Sequence, residues 1–188
     1  MTTSVVIMGS LLMTPIVPGK PFVAEYERRV SRAGHADDLE HGTVAVDGQG
    51  RARTAIEMPG SQSVAAIWDP MTKAAWIVDR SNRVLMDIPW PKSSSTTPAL
   101  APLEPIEDGV HAATVHSLGV RTIDGLDCDG TRTSAEAPKG REIIERWISR
   151  DLGHVVLETR SNDQEQVTFR MFEIKRGDPD PGMFVPRP

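Results

Sequence analysis

Apolar and polar positions alternate along most of the chain. Arg51 to Met58 (RARTAIEM) sends Arg51, Arg53 and Glu57 to one face and Ala52, Ile56 and Met58 to the other. That period of two is expected of a half-buried antiparallel strand. Phe22–Ser31, Thr43–Asp47, Gln62–Trp68, Ala74–Asp79 and Arg83–Ile88 read as further strands in the first half, Phe22–Ser31 as strand rather than short helix. Gly109–Gly119, Val120–Arg132, Glu142–Ser149, His154–Ser161 and Val167–Ile174 continue the series in the second half. Turn chemistry separates them: Asp47-Gly48-Gln49-Gly50, Asp69-Pro70-Met71-Thr72-Lys73, Asp79-Arg80-Ser81-Asn82 and Asp124-Gly125 combine Asx, proline and glycine at hairpin positions. Roughly ten short strands with brief turns predict a meander, folded as one curved antiparallel sheet or an open barrel. Helix is scarce, with room for a short one only within Pro21–Glu40 or after Pro98.

The hairpin around Asp69 carries an explicit register expectation. A five-residue turn puts Trp68 opposite Ala74 and Ala66 opposite Trp76. Both tryptophans then share one face as diagonal neighbours.

Two stretches break the pattern. Pro89 to Pro105 (PWPKSSSTTPALAPLEP) has too many prolines for a ladder or a helix interior and reads as a loop, a lid candidate dividing the chain into two halves of one domain covering residues 1–188. Ser4 to Pro18 is apolar but has no basic residue ahead of it and no small-x-small site. It reads as a first strand, with a truncated or atypical export signal as the alternative.

Composition narrows the classes. With 188 residues a single domain can bury a core. A net charge of -5 argues against a nucleic-acid partner. The lone Cys128 rules out an internal disulfide and a multi-cysteine metal site. No apolar run is long enough to span a membrane as a helix.

Candidate chemistry is thin. His35, Asp37, Asp38, Glu40 and His41 crowd into seven residues, a weak metal or acid–base candidate through His35, Asp37 and His41, and otherwise a solvated loop. His111 and His116 fall on opposite faces of a strand. Cys128 lies between Asp127 and Asp129, which disfavour a thiolate, so it reads as a structural thiol. No nucleophile elbow, phosphate loop or dinucleotide motif occurs, and no cofactor is expected. Trp68, Trp76, Trp90 and Trp147, with Met58, Met86, Phe169 and Met171, supply enough large deformable surface to line an apolar cavity; ordinary core is the alternative use.

The C-terminal hairpins resemble the lipoprotein-carrier fold of LolA and LolB and the wider lipoprotein-sorting superfamily. The matching residues are a strand ending in Trp147-Ile148, the turn Ser149–Gly153, a return strand, an apolar strand ending at Phe172-Glu173-Ile174, and the closing Gly177-Asp178-Pro179-Asp180-Pro181-Gly182-Met183-Phe184-Val185-Pro186. Gly19-Lys20-Pro21-Phe22, Asp47–Arg53 and Asp69-Pro70 followed by Trp76–Asp79 are similar to uncharacterised extracytoplasmic proteins of soil acidobacteria. The resemblance runs from Gly19 to Pro186. It implies a half-barrel: a mainly β, strongly curved sheet with an apolar concave face, little helix and a periplasmic or other extracytoplasmic location. The expected role is non-enzymatic, with an apolar small molecule, a lipid or a lipoprotein acyl chain on the concave face. A metal- or His-dependent hydrolase and a homo-oligomeric scaffold are the alternatives.

Overall fold

In the computed structural model, residues 20–57, 63–90, 111–137 and 140–188 are described, with backbone alone at 111–113 and 137. Met58, the segment Ser4–Pro18 and the Pro-rich stretch beyond Trp90 lie outside the described residues.

Eleven strands form one open antiparallel sheet among the described residues. They are β1 (Phe22–Arg32), β2 (Asp38–Val46), β3 (Ala52–Ile56), β4 (Val64–Asp69), β5 (Ala74–Asp79), β6 (Val84–Ile88), β7 (His111–Ile123), β8 (Leu126–Ala137), β9 (Gly140–Ser149), β10 (Val155–Ser161) and β11 (Glu165–Arg176). A short 3-10 turn, Pro181–Phe184, follows. The spatial order is β6-β5-β4-β3-β2-β1-β11-β10-β9-β8-β7. The strand series therefore starts in the middle with β1, meanders outward to β6, continues at the opposite edge with β7, and meanders back until β11 closes on β1. The Pro-rich stretch belongs to the connection between the two outermost strands.

Asx side chains set the hairpins. Asp47 Oδ1 accepts from the backbone N–H of Gln49 and Arg51 at 2.9 Å each, while Oδ2 takes Arg51 Nε at 2.7 Å. Asp79 repeats the device, accepting from Ser81 N at 2.8 Å, Arg83 N at 3.0 Å and Arg83 Nε at 3.2 Å. These carboxylates satisfy turn donors that no strand partner can reach. Asp124 and Gly125 form a two-residue loop with φ 48° and 78°, the positive pair that a type I′ hairpin requires.

The β4–β5 register differs from the sequence expectation. Asp69 pairs with Ala74, so the loop has four residues, Pro70–Lys73, with Lys73 at φ 53°. Trp68 then sits opposite Ala75, and Trp76 opposite Ile67. A one-residue slip moves a side chain to the other face, and the two tryptophans are on opposite sides of the sheet.

The main core lies on one face. Phe22, Ala24, Tyr26, Val44, Val46, Ala52, Ala66, Trp68, Ile77, Phe169 and Met171 are buried together there. On the reverse face Ala65, Ile67 and Val78 form a smaller buried group, flanked by Ala55, Trp76 and Val84. The chain end helps cover that side. Gly177 N donates to Pro21 O, the 3-10 turn lies against β3 and β4, and Arg187 bridges to the β5–β6 turn through Asn82 O at 2.7 Å and Val84 N at 2.9 Å. Phe184 is only 2% exposed, belongs to neither apolar cluster, and carries the Arg51 guanidinium 5.1 Å from its ring centroid.

The sheet bends. The β7–β8 hairpin tip reaches β11, three strands away, where Arg170 Nη2 donates to both Asp124 oxygens at 3.0 and 3.1 Å. A flat sheet would hold those backbones about 14 Å apart, so curvature and a long side chain together close the gap.

Candidate ligand-binding face

The core face of β4–β6 brings together some of the residues singled out from the sequence. Trp68 is 7% exposed, and Trp90, just beyond β6, tilts against it with ring centroids 5.9 Å apart. The Trp68 indole N–H is buried without a hydrogen-bond partner. Ile88 and Val64 pack on the same core while remaining half-buried. Met86, paired with Ile77, is 40% exposed at the sheet margin.

The other candidates fall elsewhere. Phe169 and Met171 fill the centre of the core from β11. Trp76 is half-buried on the reverse face. Trp147 lies over Gly130, whose hypothetical Cβ would sit 2.5 Å from the indole, and Arg121 stacks on it at 5.7 Å. Glycine there is a requirement of close approach. Trp147 is thus remote in register from Trp68 and Trp90.

The histidine-rich stretch is not one loop. β2 begins at Asp38, so Glu40 and His41 alternate across the sheet. Glu40 turns to the core face, where Tyr26 donates to it at 2.9 Å; burial, and then the Glu40 charge, push the Tyr26 phenol well above its usual range. His35, Asp37 and His41 are exposed. No group of three or more His, Cys, Asp or Glu among the described residues is placed to hold a metal ion. Cys128 is fully buried with its thiol pushed up, chiefly by desolvation and then by Asp127 and Asp129. His154 is buried edge-on to Phe22 at 5.5 Å; its Nδ1 lies 3.2 Å from Val155 O, and Nε2 has no partner.

Sequence reasoning missed a set of buried charges in the centre of the sheet. In register, β2 Glu40, β1 Arg28, β11 Phe169, β10 Glu158 and β9 Arg146 form one row. Arg146 Nε bonds Glu158 Oε2, and one step along Arg160 Nε bonds Glu142 Oε1. Arg28 reaches Glu40 at 3.9 Å. The Glu158 side chain is 4% exposed and that of Glu142 7%. The available signal was charge complementarity: Glu142 and Arg146 share strand parity on β9, facing Arg160 and Glu158 on β10.

A cleft of about 240 Å³ opens between the β7–β8 tip and β11, lined by Asp124, Gly125, Leu126, Glu173, Ile174 and Arg176. Half of that lining is charged, which does not suit an acyl chain.

No family model matches the chain, and no curated protein matches it. Solved structures do. MucB aligns over 89% of this chain with a TM-score of 0.51 at 13% identity, and MucB in complex with MucA(peri) over 88% with a TM-score of 0.50 at 14% identity. The chain spans 57% of the first and 54% of the second, just over half their length. A LolA superfamily protein from Nitrosomonas europaea aligns over 90% of this chain and 92% of its own at 14% identity, with a TM-score of 0.44. At such identities the likeness concerns the fold alone.

Proposed function

We propose that the protein binds an apolar ligand, an acyl chain or a lipid, on the core face of its open sheet, without catalysis. The observation that carries this reading is the margin at β4–β6. There Trp90, Ile88 and Val64 pack on the core yet stay half-buried, Met86 is exposed beside them, and Trp68 holds an unused indole N–H. Large apolar side chains left part-wet next to a continuous core mark a surface with affinity for an apolar partner. An extracytoplasmic location belongs to the same proposal and rests on the sequence resemblance to lipoprotein carriers and to extracytoplasmic proteins.

Titration with a fatty acid brominated along its chain tests the reading, because bromine quenches indole fluorescence on contact. We expect saturable quenching that falls by about half when Trp90 is replaced by Phe and is unchanged in Trp76→Phe. Mass spectrometry of solvent extracts should show lipid co-purifying with the wild type. Absence of saturable quenching together with lipid-free extracts would remove the proposal.

A further inference from the structure

We infer that the cleft between the β7–β8 tip and β11 binds a small zwitterion, its ammonium group against Glu173 and its oxyanion against Arg176. The cleft is a separate surface, so the assignment stands independently of the apolar-ligand reading above.

A bulge shapes one wall. Val23 pairs with Lys175 and Glu25 with Phe172, so Ala24 alone faces both Glu173 and Ile174. The first of those two residues takes the left-handed conformation, with φ 49°. Bulges of this form favour glycine there, because a Cβ is strained at positive φ. This chain keeps a glutamate at that position, and the glutamate lines the cleft. Bulges re-aim side chains next to sites, and strained residues persist where the surrounding structure holds them. Ile174 packs on the main core, and Leu126, also in the lining, is buried in it. These two side chains form the apolar part of the lining, while Gly125 adds no side chain.

The charged part is unevenly occupied. Asp124 is already engaged, since both its oxygens accept from Arg170 Nη2. Glu173 is exposed and forms no hydrogen bond or ion pair with a described residue. Arg176 directs Nε to Asp151 at 2.8 Å, and Lys20 bonds the same carboxylate. Two cations on one carboxylate leave an excess positive charge, and the terminal nitrogens of Arg176 bond no described residue. No ion pair joins Glu173 to Arg176, although both line the same open volume of about 240 Å³. At a water molecule's share of about 30 Å³, that volume holds about eight non-hydrogen atoms. The size suits an ammonium and an oxyanion joined by two or three carbons. A lone cation is opposed by Arg176 and a lone anion by Glu173, whereas a zwitterion meets both with charge-assisted hydrogen bonds. A free amino-acid-like molecule and a phosphatidylethanolamine headgroup share this chemistry.

Titration with O-phosphoethanolamine, followed through the amide NMR shifts of Gly125, Leu126 and Ile174, tests the assignment. It should bind about tenfold more tightly than ethanolamine or inorganic phosphate, the worth of one hydrogen bond to a charged group. Glu173→Gln should reduce it to the level of phosphate, and Arg176→Met to that of ethanolamine. Glu173→Gly should lose the same binding while the melting temperature rises by about 2 °C, because glycine accepts positive φ without strain. A lower melting temperature in Glu173→Gly would make Glu173 a structural residue and remove the assignment. Equal binding of the three probes to the wild type, or an advantage of O-phosphoethanolamine that survives both charge-removing substitutions, would also overturn it. Vesicle flotation separates the two sources. A protein that floats with equimolar phosphatidylethanolamine and phosphatidylglycerol, but not with phosphatidylglycerol alone, takes a lipid headgroup. One that binds O-phosphoethanolamine and floats with neither takes a free zwitterion. Flotation with phosphatidylglycerol alone would replace the zwitterion site by a plain anion site and refute the proposal.

Discussion

Strands β2–β5 and strands β7–β10 flank the same central pair, β1 and β11, yet they meet water in different ways. In the first wing both faces are apolar and, away from the β6 margin, both are largely buried. Ala52, Ala66, Trp68 and Ile77 enter the main core, Ala65, Ile67 and Val78 are sealed on the reverse side, and the chain end crosses there with Phe184 buried. In the second wing charge pairs take over much of that role: Glu142 with Arg160, Glu158 with Arg146, Arg132 with Glu145, and Arg150 with Asp129. The outermost strand, β7, is wet on both sides for most of its length. Where no α-helix is present among the described residues, the second face of a sheet is covered by the tail or left polar, and this protein does one in each wing. Apolar burial in the first wing is non-directional, while the charged rows of the second fix side-chain positions at the cost of desolvation.

The largest loss is expected from removing the cover of the first wing. Phe184→Ala should cost about 3–5 kcal/mol, the range for deleting a buried aromatic ring, read from urea denaturation. A loss below about 1 kcal/mol, within ordinary surface behaviour, would show that the tail merely lies on the sheet. The converse test is in the second wing. Glu142→Ala leaves Arg160 facing a buried site without its carboxylate and should cost about 3 kcal/mol, whereas Glu142→Leu with Arg160→Met should come close to the wild type. Should the double variant be as unstable as the single one, the pair contributes more than its own desolvation, and the contrast between the wings narrows.

What the sequence made legible follows the same division. Alternation located nearly every strand, and RARTAIEM gave its faces correctly: Ala52 and Thr54 are buried while Arg51 and Arg53 lie on the other side. Turn length was not legible, because Asp69–Lys73 closes equally well around four or five residues, and that one residue decided where Trp76 points. The buried pairs were hidden by the rule that worked elsewhere, which sends charge outward. Glu158 and Arg160 look like the wet face of LETRS until the opposite charges of β9 are set beside them. Of the eight apolar candidates, Trp68 and Trp90 meet; Phe169 and Met171 are core, and Trp76 and Trp147 lie apart from that pair. Composition supplies the residue types but carries no information on parity.

Acid should sharpen the picture at the join between the wings. Burial pushes the His154 pKa below its ordinary value, with the Val155 carbonyl opposing more weakly. With Nδ1 toward that carbonyl, the neutral ring donates there and Nε2 carries no proton. The folded state therefore binds fewer protons than the unfolded chain just below pH 6.5, and stability rises with pH through that window. The histidine contribution is full above the unfolded pKa and is lost as pH falls from about 6.5 toward the depressed folded value. His154→Phe should flatten that segment of a melting-temperature against pH curve. A curve of unchanged slope in the variant would assign the acid sensitivity to other groups.

The smallest effect is expected at β7. Val115 is 64% exposed and Val120 56%, and the strand carries backbone irregularities opposite β8 near Thr114 and Gly119. Such bulges discourage a long edge from pairing with another chain. Val115→Thr and Val120→Thr should therefore each change stability by less than about 0.5 kcal/mol, the usual range for surface substitutions. The same exchange at Val44 or Val78, both buried in the first wing, should cost several times more. Parallel urea titrations of the four variants put the contrast in numbers. Equal losses at Val115 and Val44 would mean that the outer edge is covered as thoroughly as the core, and the division between a sealed wing and a wet one would no longer hold.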